Sequence, residues 1–175
     1  MKRTDIQPLP EYYDRYIKLV PDVQLSEAFD NSIRQLETLD RHLLGNLAGK
    51  RYAPNKWTVN EIIQHLTDTE RIMSYRTLLY ARRDETIPQG FDQNLLVDNA
   101  GADKRPISEL LQELTILRRA TGSMFDSFDD ETLRCKGICW NYEITVLAMG
   151  FAMIGHQLHH LKIIEEKYYS LLGDH

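Results

Sequence analysis

GHQLHHLKII, residues 155–164, is the stretch around which the rest of the chain is organised. It holds three of the six histidines, and two of these, His156 and His160, stand four residues apart in an apolar, helix-like pattern. Residues at i and i+4 lie on one face of a helix, about 6 Å apart along its axis, so both imidazoles can converge on one point. This spacing is typical of metal ligands, although it also occurs on solvated helix surfaces. A metal site therefore requires a third ligand from elsewhere.

Length and composition limit the class of protein. The 175 residues predict a single domain, 1–175, with one substantial core. A net charge of -5 without a basic stripe predicts no nucleic-acid binding. The polar N-terminus and the lack of a long apolar run predict a cytoplasmic protein without a membrane segment. Cys135 and Cys139, spaced C-x3-C, match neither a redox motif nor a disulfide framework, and we expect reduced thiols.

The apolar periodicity predicts an all-α fold, a four-helix bundle with a long crossover connection, and no strand. Thr58 and Glu61 form a predicted capping box at the start of the second long helix. The polar, irregular connection at 82–106 is long for a compact domain, which indicates a crossover or a functional rim. A short helix is expected within residues 9–20. The four long helices are expected at about 22–45, 58–81, 108–128 and 142–172.

Helical-wheel positions supply a candidate for the third ligand. At about 100° per residue, His65 on the second long helix falls inside that helix's apolar stripe. On the last helix the same wheel turns His156 and His160 inward, while His159 lies at the margin of the stripe. His159 is therefore expected to be a neighbour that supports the ligands rather than a ligand itself. A lone inward histidine is more often a hydrogen-bonded core residue than a ligand. Three unpaired buried imidazoles would each cost about 1 to 3 kcal/mol, whereas one divalent cation satisfies all three.

Other polar residues near these histidines suggest a wet cavity. Thr69 and Arg76 share the inward face of the second helix, and Gln157 points toward the stripe of the last. Asp68 either orients a histidine or contacts a metal-bound water, or it is simply a surface carboxylate. Arg76 either holds a substrate carboxylate or forms an ion pair at the end of the bundle.

Two blocks, at residues 56–70 and 155–164, resemble the DinB-like superfamily, which includes the YfiT-type metal-dependent hydrolases. Residues 117–121 share the likeness, which spans most of 25–170. The resemblance implies a four-helix bundle with a long crossover and a divalent metal, commonly zinc or nickel. It also implies that His65, His156 and His160 are the ligands and that the protein is a homodimer. Relatives include thiol transferases that use low-molecular-weight thiols.

Three functions remain open from the sequence. Three neutral imidazoles leave a coordination position free, which is typical of catalytic sites. The leading hypothesis is a thiol-dependent S-transferase acting on a small electrophilic substrate, with the thiol as co-substrate. The alternatives are a hydrolase that uses metal-activated water, and a non-catalytic metal-binding or ligand-binding stress-response protein. No base or nucleophile outside the histidines is evident in the sequence.

Overall fold

The computed structural model describes residues 1–173. Its four long helices are α2, α4, α6 and α8, and the predicted four-helix bundle is confirmed. A two-stranded antiparallel sheet accompanies them. The elements in chain order are α1 Asp14–Ile17, α2 Leu25–Thr38, α3 Arg41–Leu47, α4 Val59–Ala81, α5 Gln93–Ala100, α6 Ile107–Asp126, α7 Asp130–Leu133, β1 Lys136–Cys139, β2 Tyr142–Thr145 and α8 Val146–Ile163.

Helix α4 begins where the capping box predicts. Thr58 Oγ1 accepts a hydrogen bond from the Glu61 amide at 3.1 Å, and the Thr58 amide donates to Glu61 Oε2 at 2.7 Å. These reciprocal bonds satisfy two backbone donors that no preceding turn of helix can satisfy. The cap fixes the start of α4 and thereby the register of His65.

The prediction of one continuous helix over 22–45 is wrong, because the chain breaks at Leu39 and Asp40. The carboxylate of Asp40 accepts hydrogen bonds from the His42 and Leu43 amides, both at 2.9 Å. A side chain that caps the amides following it competes with continuation of the preceding helix. Helix α3 therefore starts afresh after Asp40.

The prediction that the last helix begins near Tyr142 and that the chain has no strand is also wrong. Residues 136–145 form a hairpin, in which Lys136 pairs with Thr145 and Cys139 with Tyr142. Helix α8 starts only after Thr145, whose side chain accepts a hydrogen bond from the Ala148 amide. The hairpin packs on α4 through Gly137, where any added Cβ would fall 2.0 Å from the ring of Tyr80.

The crossover at 82–106 is less irregular than its sequence suggests. It contains α5, whose first turn is capped by Asp92 and whose last residue is followed by Gly101 at φ 63°. Asn60 of α4 donates hydrogen bonds to the carbonyls of Ala102 and Arg105, which attach the end of the crossover to the bundle.

The apolar interior consists of two clusters with a polar layer between them. On α8 the first cluster reaches Ile154 and the second begins at Leu161. On α4 the second cluster ends at Leu66 and the first resumes at Met73. Residues 155–160 of α8 and residues 67–72 of α4 therefore lie in the polar layer between the two clusters. No helix within residues 1–173 has the length and apolar character needed to cross a membrane.

Candidate metal centre and its cavity

His65, His156 and His160 meet in this polar layer. The Nε2 atoms of His65 and His156 are 3.2 Å apart, and those of His160 and His156 are 3.0 Å apart. All three side chains can direct one nitrogen into a common space, with these atoms within 4.8 Å of one another. The three residues therefore form a group that could hold a metal ion.

The close approach of three ring nitrogens is poorly satisfied by hydrogen bonding alone. His156 Nε2 has either one hydrogen or one lone pair, so it makes one well-formed bond at a time. Its two neighbours, His65 Nε2 and His160 Nε2, cannot both be satisfied by it. A cation accepts all three lone pairs together. The separations are close to the about 3.3 Å expected between imidazole nitrogens on a tetrahedral zinc, so the residues fit a divalent metal.

Burial keeps the imidazoles neutral. Desolvation lowers the pKa of His65 to about 4. Desolvation, followed by the neighbouring histidines, holds the pKa of His156 and of His160 well below the usual value. Neutral imidazole is the form that binds a metal. At neutral pH each ring therefore has one nitrogen lone pair available to bind a metal.

The surroundings of the three rings differ. Thr69 Oγ1 lies 3.4 Å from His65 Nδ1, the polar neighbour of that ring. Trp57 packs against His65 with ring centroids 4.7 Å apart. His160 Nδ1 is buried and has no hydrogen-bond partner within residues 1–173. Of the His65 and His160 rings, only that of His65 has a polar side chain within residues 1–173 beside its Nδ1 atom to fix its orientation.

Helix α1 packs directly behind His156. Gly155 makes this approach possible, because a Cβ at this position would lie 2.0 Å from the carbonyl oxygen of Tyr16. The Tyr16 ring meets the His156 ring edge-on at a centroid distance of 5.2 Å. The glycine that precedes the first histidine of the pair thus brings an aromatic wall to the site.

A cavity opens beside His65 and His156. Its volume is about 70 Å³. Its walls are largely aromatic and aliphatic. The aromatic lining residues are Tyr12, Tyr13, Tyr16, Phe91 and Trp140.

Two of these aromatic residues have strained backbones. Tyr12 has φ 66° and Trp140 has φ 60°, values that large side chains rarely adopt. Their rings stack at a centroid distance of 6.4 Å with 19° between planes. Strained residues persist where the surroundings over-determine them, often at ligand sites. The hairpin, absent from the sequence prediction, therefore supplies part of the cavity mouth.

An ion pair forms the polar end of the cavity. Glu70 and Arg118 both line it, and they are 3% and 1% exposed. Arg118 Nε donates to Glu70 Oε2 at 3.0 Å, and Nη2 lies 2.8 Å from the same oxygen. The sequence prediction missed both residues. The register of Glu70 could have identified it, because it falls between Leu66 and Met73 on an apolar stripe of α4.

The remaining predicted site residues divide between the cavity and other places. Thr69 lines the cavity. His159 lies outside the three-nitrogen group, with its ring centroid 5.4 Å from that of Tyr16. Asp68 accepts a hydrogen bond from Gln64 at 2.9 Å and lies 3.5 Å from Arg71, on the outer side of α4.

Gln157 and Arg76 turn away from the histidines. Gln157 is fully buried and donates to the carbonyl of Ser32 at 3.1 Å, so it attaches α8 to α2. Arg76 is buried, donates to Cys139 Sγ at 3.1 Å and donates to the Gln89 carbonyl at 2.7 Å. It joins the hairpin and the crossover to α4. Within residues 1–173 no ion pair joins Arg76 to a carboxylate, so the alternative of a bundle-end ion pair is not observed there.

The fold and the site together define a class of protein. The model of the DinB superfamily matches residues 24–164. The chain therefore belongs to the DinB superfamily. Among solved structures it is similar to YfiT from Bacillus subtilis, described as "a probable metal-dependent hydrolase with an unusual four-helix bundle topology". The TM-score is 0.69 and the identity 17%, over 94% of this chain and 90% of that one. No curated protein matches the sequence.

Proposed function

We propose that this protein is a metal-dependent enzyme in which His65, His156 and His160 hold a divalent ion, zinc or nickel. The observation that supports it is the meeting of three neutral ring nitrogens beside an aromatic-lined cavity. Three neutral ligands leave the charge of the ion uncompensated and a coordination position free, as in catalytic rather than structural sites.

The leading reaction is the transfer of a low-molecular-weight thiol to a small electrophile. A bound divalent ion would stabilise the thiolate form of the thiol near neutral pH. The thiol loses its proton to solvent water, its sulfur forms a bond to the electrophilic carbon, and the leaving group departs with the electrons of the bond that breaks. The apolar walls next to the histidines exclude water and favour an electrophile with an apolar body.

The second candidate is hydrolysis by metal-activated water. Its support is the description of YfiT as a probable metal-dependent hydrolase, together with the same free coordination position. Hydrolysis needs no thiol, so the two reactions are separable by omitting it.

We also propose that the protein is a homodimer, and sedimentation velocity of the purified chain tests this.

The test compares His65→Ala with His159→Ala, two histidine deletions of which only the first removes a proposed ligand. Metal content is measured by elemental analysis, and turnover is measured with a panel of electrophiles, with and without thiol. We expect His65→Ala to lose metal and turnover and His159→Ala to keep both. Equal metal content in the two variants would contradict the proposed ligand set. Turnover of esters or amides without thiol would favour the hydrolase.

A metal-loaded protein that neither turns over any of these substrates nor binds thiols would contradict the proposed enzyme. Loss of stability in His65→Ala, without turnover in the parent protein, would then indicate a metal-binding module. Thermal unfolding of both variants with and without metal separates this outcome, because only a bound ligand raises the midpoint by mass action.

A further inference from the structure

The Glu70–Arg118 pair leaves one carboxylate oxygen unused. Both contacts from Arg118 go to Oε2 of Glu70. The other oxygen, Oε1, is buried and accepts no hydrogen bond from any residue of the described range 1–173. A buried acceptor without a donor costs about 1 to 3 kcal/mol. Since Glu70 lines the cavity next to His65, the cavity is where a donor to Oε1 can come from.

Four of the five N–H donors of the Arg118 guanidinium have partners, two of them at Glu70 Oε2. Nη1 donates to Ser32 Oγ at 3.3 Å, and Nη2 donates to the Met153 carbonyl at 3.4 Å. Most of its donors therefore hold Glu70 and the neighbouring helices in place, and one Nη1 N–H is left without a partner within residues 1–173. The polar end of the cavity presents an acceptor, and its orientation is set by Arg118.

Charge limits what binds there. Glu70 and Arg118 compensate each other, and a divalent ion on neutral histidines would add positive charge. An ammonium group would thus meet net repulsion, and a second carboxylate would be repelled by the adjacent carboxylate of Glu70. A neutral hydroxyl or amide N–H meets neither penalty. The aromatic mouth at Tyr12 and Trp140 suits an apolar body.

We propose that Glu70 Oε1 is the specificity-determining acceptor of this cavity, binding a neutral O–H or N–H group of a small ligand whose sulfur or oxygen binds the metal. The ligand class is a neutral, donor-bearing thiol or alcohol with an apolar remainder. This inference rests on the proposed metal site, and it deepens that proposal.

Glu70→Gln makes a directional test. Arg118 requires an acceptor, so the amide oxygen takes the place of Oε2 and the NH2 group takes the place of Oε1. The cavity acceptor thereby becomes a donor. Glu113→Gln is the matched control, because Glu113 pairs with Arg71 and Arg105 and does not line the cavity.

The probes are two thiols. The hydroxyl of 2-mercaptoethanol can donate and accept a hydrogen bond, whereas the methoxy oxygen of 2-methoxyethanethiol can only accept one. Their binding to cobalt-loaded protein is followed by the thiolate-to-cobalt charge-transfer absorbance, without any turnover. The parent protein and Glu113→Gln should bind the hydroxyl probe roughly tenfold more tightly. Glu70→Gln should lose or invert this preference. If Glu70→Gln fails to fold, the comparison is repeated in the parent protein with a hydroxyl thiol and a methoxy thiol that are each one methylene longer.

The outcomes are distinguishable. Equal affinities of the parent protein for every hydroxyl and methoxy pair would overturn the role of Glu70 and leave the metal proposal intact. A preference that disappears in Thr69→Val but persists in Glu70→Gln would assign the acceptor to Thr69 and overturn it too. A parent protein that binds cobalt but shows no thiolate absorbance with any probe would overturn both this inference and the thiol-transfer reaction.

Discussion

Replacing Gly155 by alanine should separate helix α1 from the three-histidine group. An added Cβ would lie 2.0 Å from the carbonyl oxygen of Tyr16 and 2.5 Å from its carbonyl carbon. These are backbone atoms, so no side-chain rotation relieves the contact. Helix α1, which contains Tyr16, must therefore move away from α8. The Tyr16 ring then no longer packs against His156 as it does at 5.2 Å in the native protein.

The size of the effect follows from two opposing terms. An ordinary contact begins near 3.4 Å, so the 2.0 Å approach requires a displacement of about 1.4 Å. Overpacking of this kind typically costs about 1 to 3 kcal/mol. Alanine in a helix interior gains roughly 0.5 to 1 kcal/mol over glycine. The free energy of unfolding should therefore fall by up to about 2.5 kcal/mol, with a central value of about 1 kcal/mol that corresponds to a decrease of a few degrees in Tm.

Gly45→Ala is the matched control. A Cβ at Gly45 in α3 meets only Ile107, at 3.9 Å, which is an ordinary contact. This variant should gain the helix term without the clash and should unfold at a higher urea concentration than the parent. Urea unfolding of the metal-free proteins gives both values. Metal titration should show weaker binding for Gly155→Ala alone. If Gly155→Ala is stabilised as much as Gly45→Ala, the reasoning about the α1–α8 contact is wrong.

Three further predictions concern a cap, a tyrosine and the cavity mouth. Thr58→Ala removes the acceptor for the Glu61 amide and should lower the free energy of unfolding by about 0.5 to 2 kcal/mol in urea titrations. Burial raises the pKa of Tyr168, which donates to the Trp57 carbonyl, to about 12. The folded protein thus keeps a proton that the unfolded chain loses, so its stability should fall between pH 10 and 12, less steeply in Tyr168→Phe. Trp140→Asn introduces a residue that tolerates the positive φ at this position and removes the indole ring. It should weaken binding of 2-phenylethanethiol about two- to tenfold and leave binding of 2-mercaptoethanol unchanged. An unchanged ratio of these affinities would remove Trp140 from the ligand-binding wall.

Periodicity and local spacing were enough to predict the long helices and the three histidines. The capping box at Thr58 starts α4, and the i, i+4 spacing of His156 and His160 is a property of one helix. His65 was found because its register on α4 can be counted from neighbouring apolar residues. These features depend on interactions within a few turns of chain. Even so, Asp40 broke a predicted helix, because a side-chain cap outweighed continued apolar periodicity.

Contacts between distant residues needed the tertiary structure. Glu70 and Arg118 each read as one charged residue on a helix, and only the packing of α4 against α6 makes them a buried pair. The hairpin at 136–145 is short, and its pairing is supported by its contact with Tyr80 rather than by strong alternation. The partners of Arg76 lie on that hairpin and on the crossover.

The sequence by itself therefore determined the helical class, the family and the three histidines, because each depends on local register or on motif. The tertiary structure decided that these histidines meet beside an aromatic cavity and that Glu70, which lines it, has one carboxylate oxygen without a donor within residues 1–173. It also decided that Gln157, Arg76 and Asp68 face other partners. A helical wheel gives the direction of a side chain about its own axis, whereas the identity of its neighbours depends on how the helices pack.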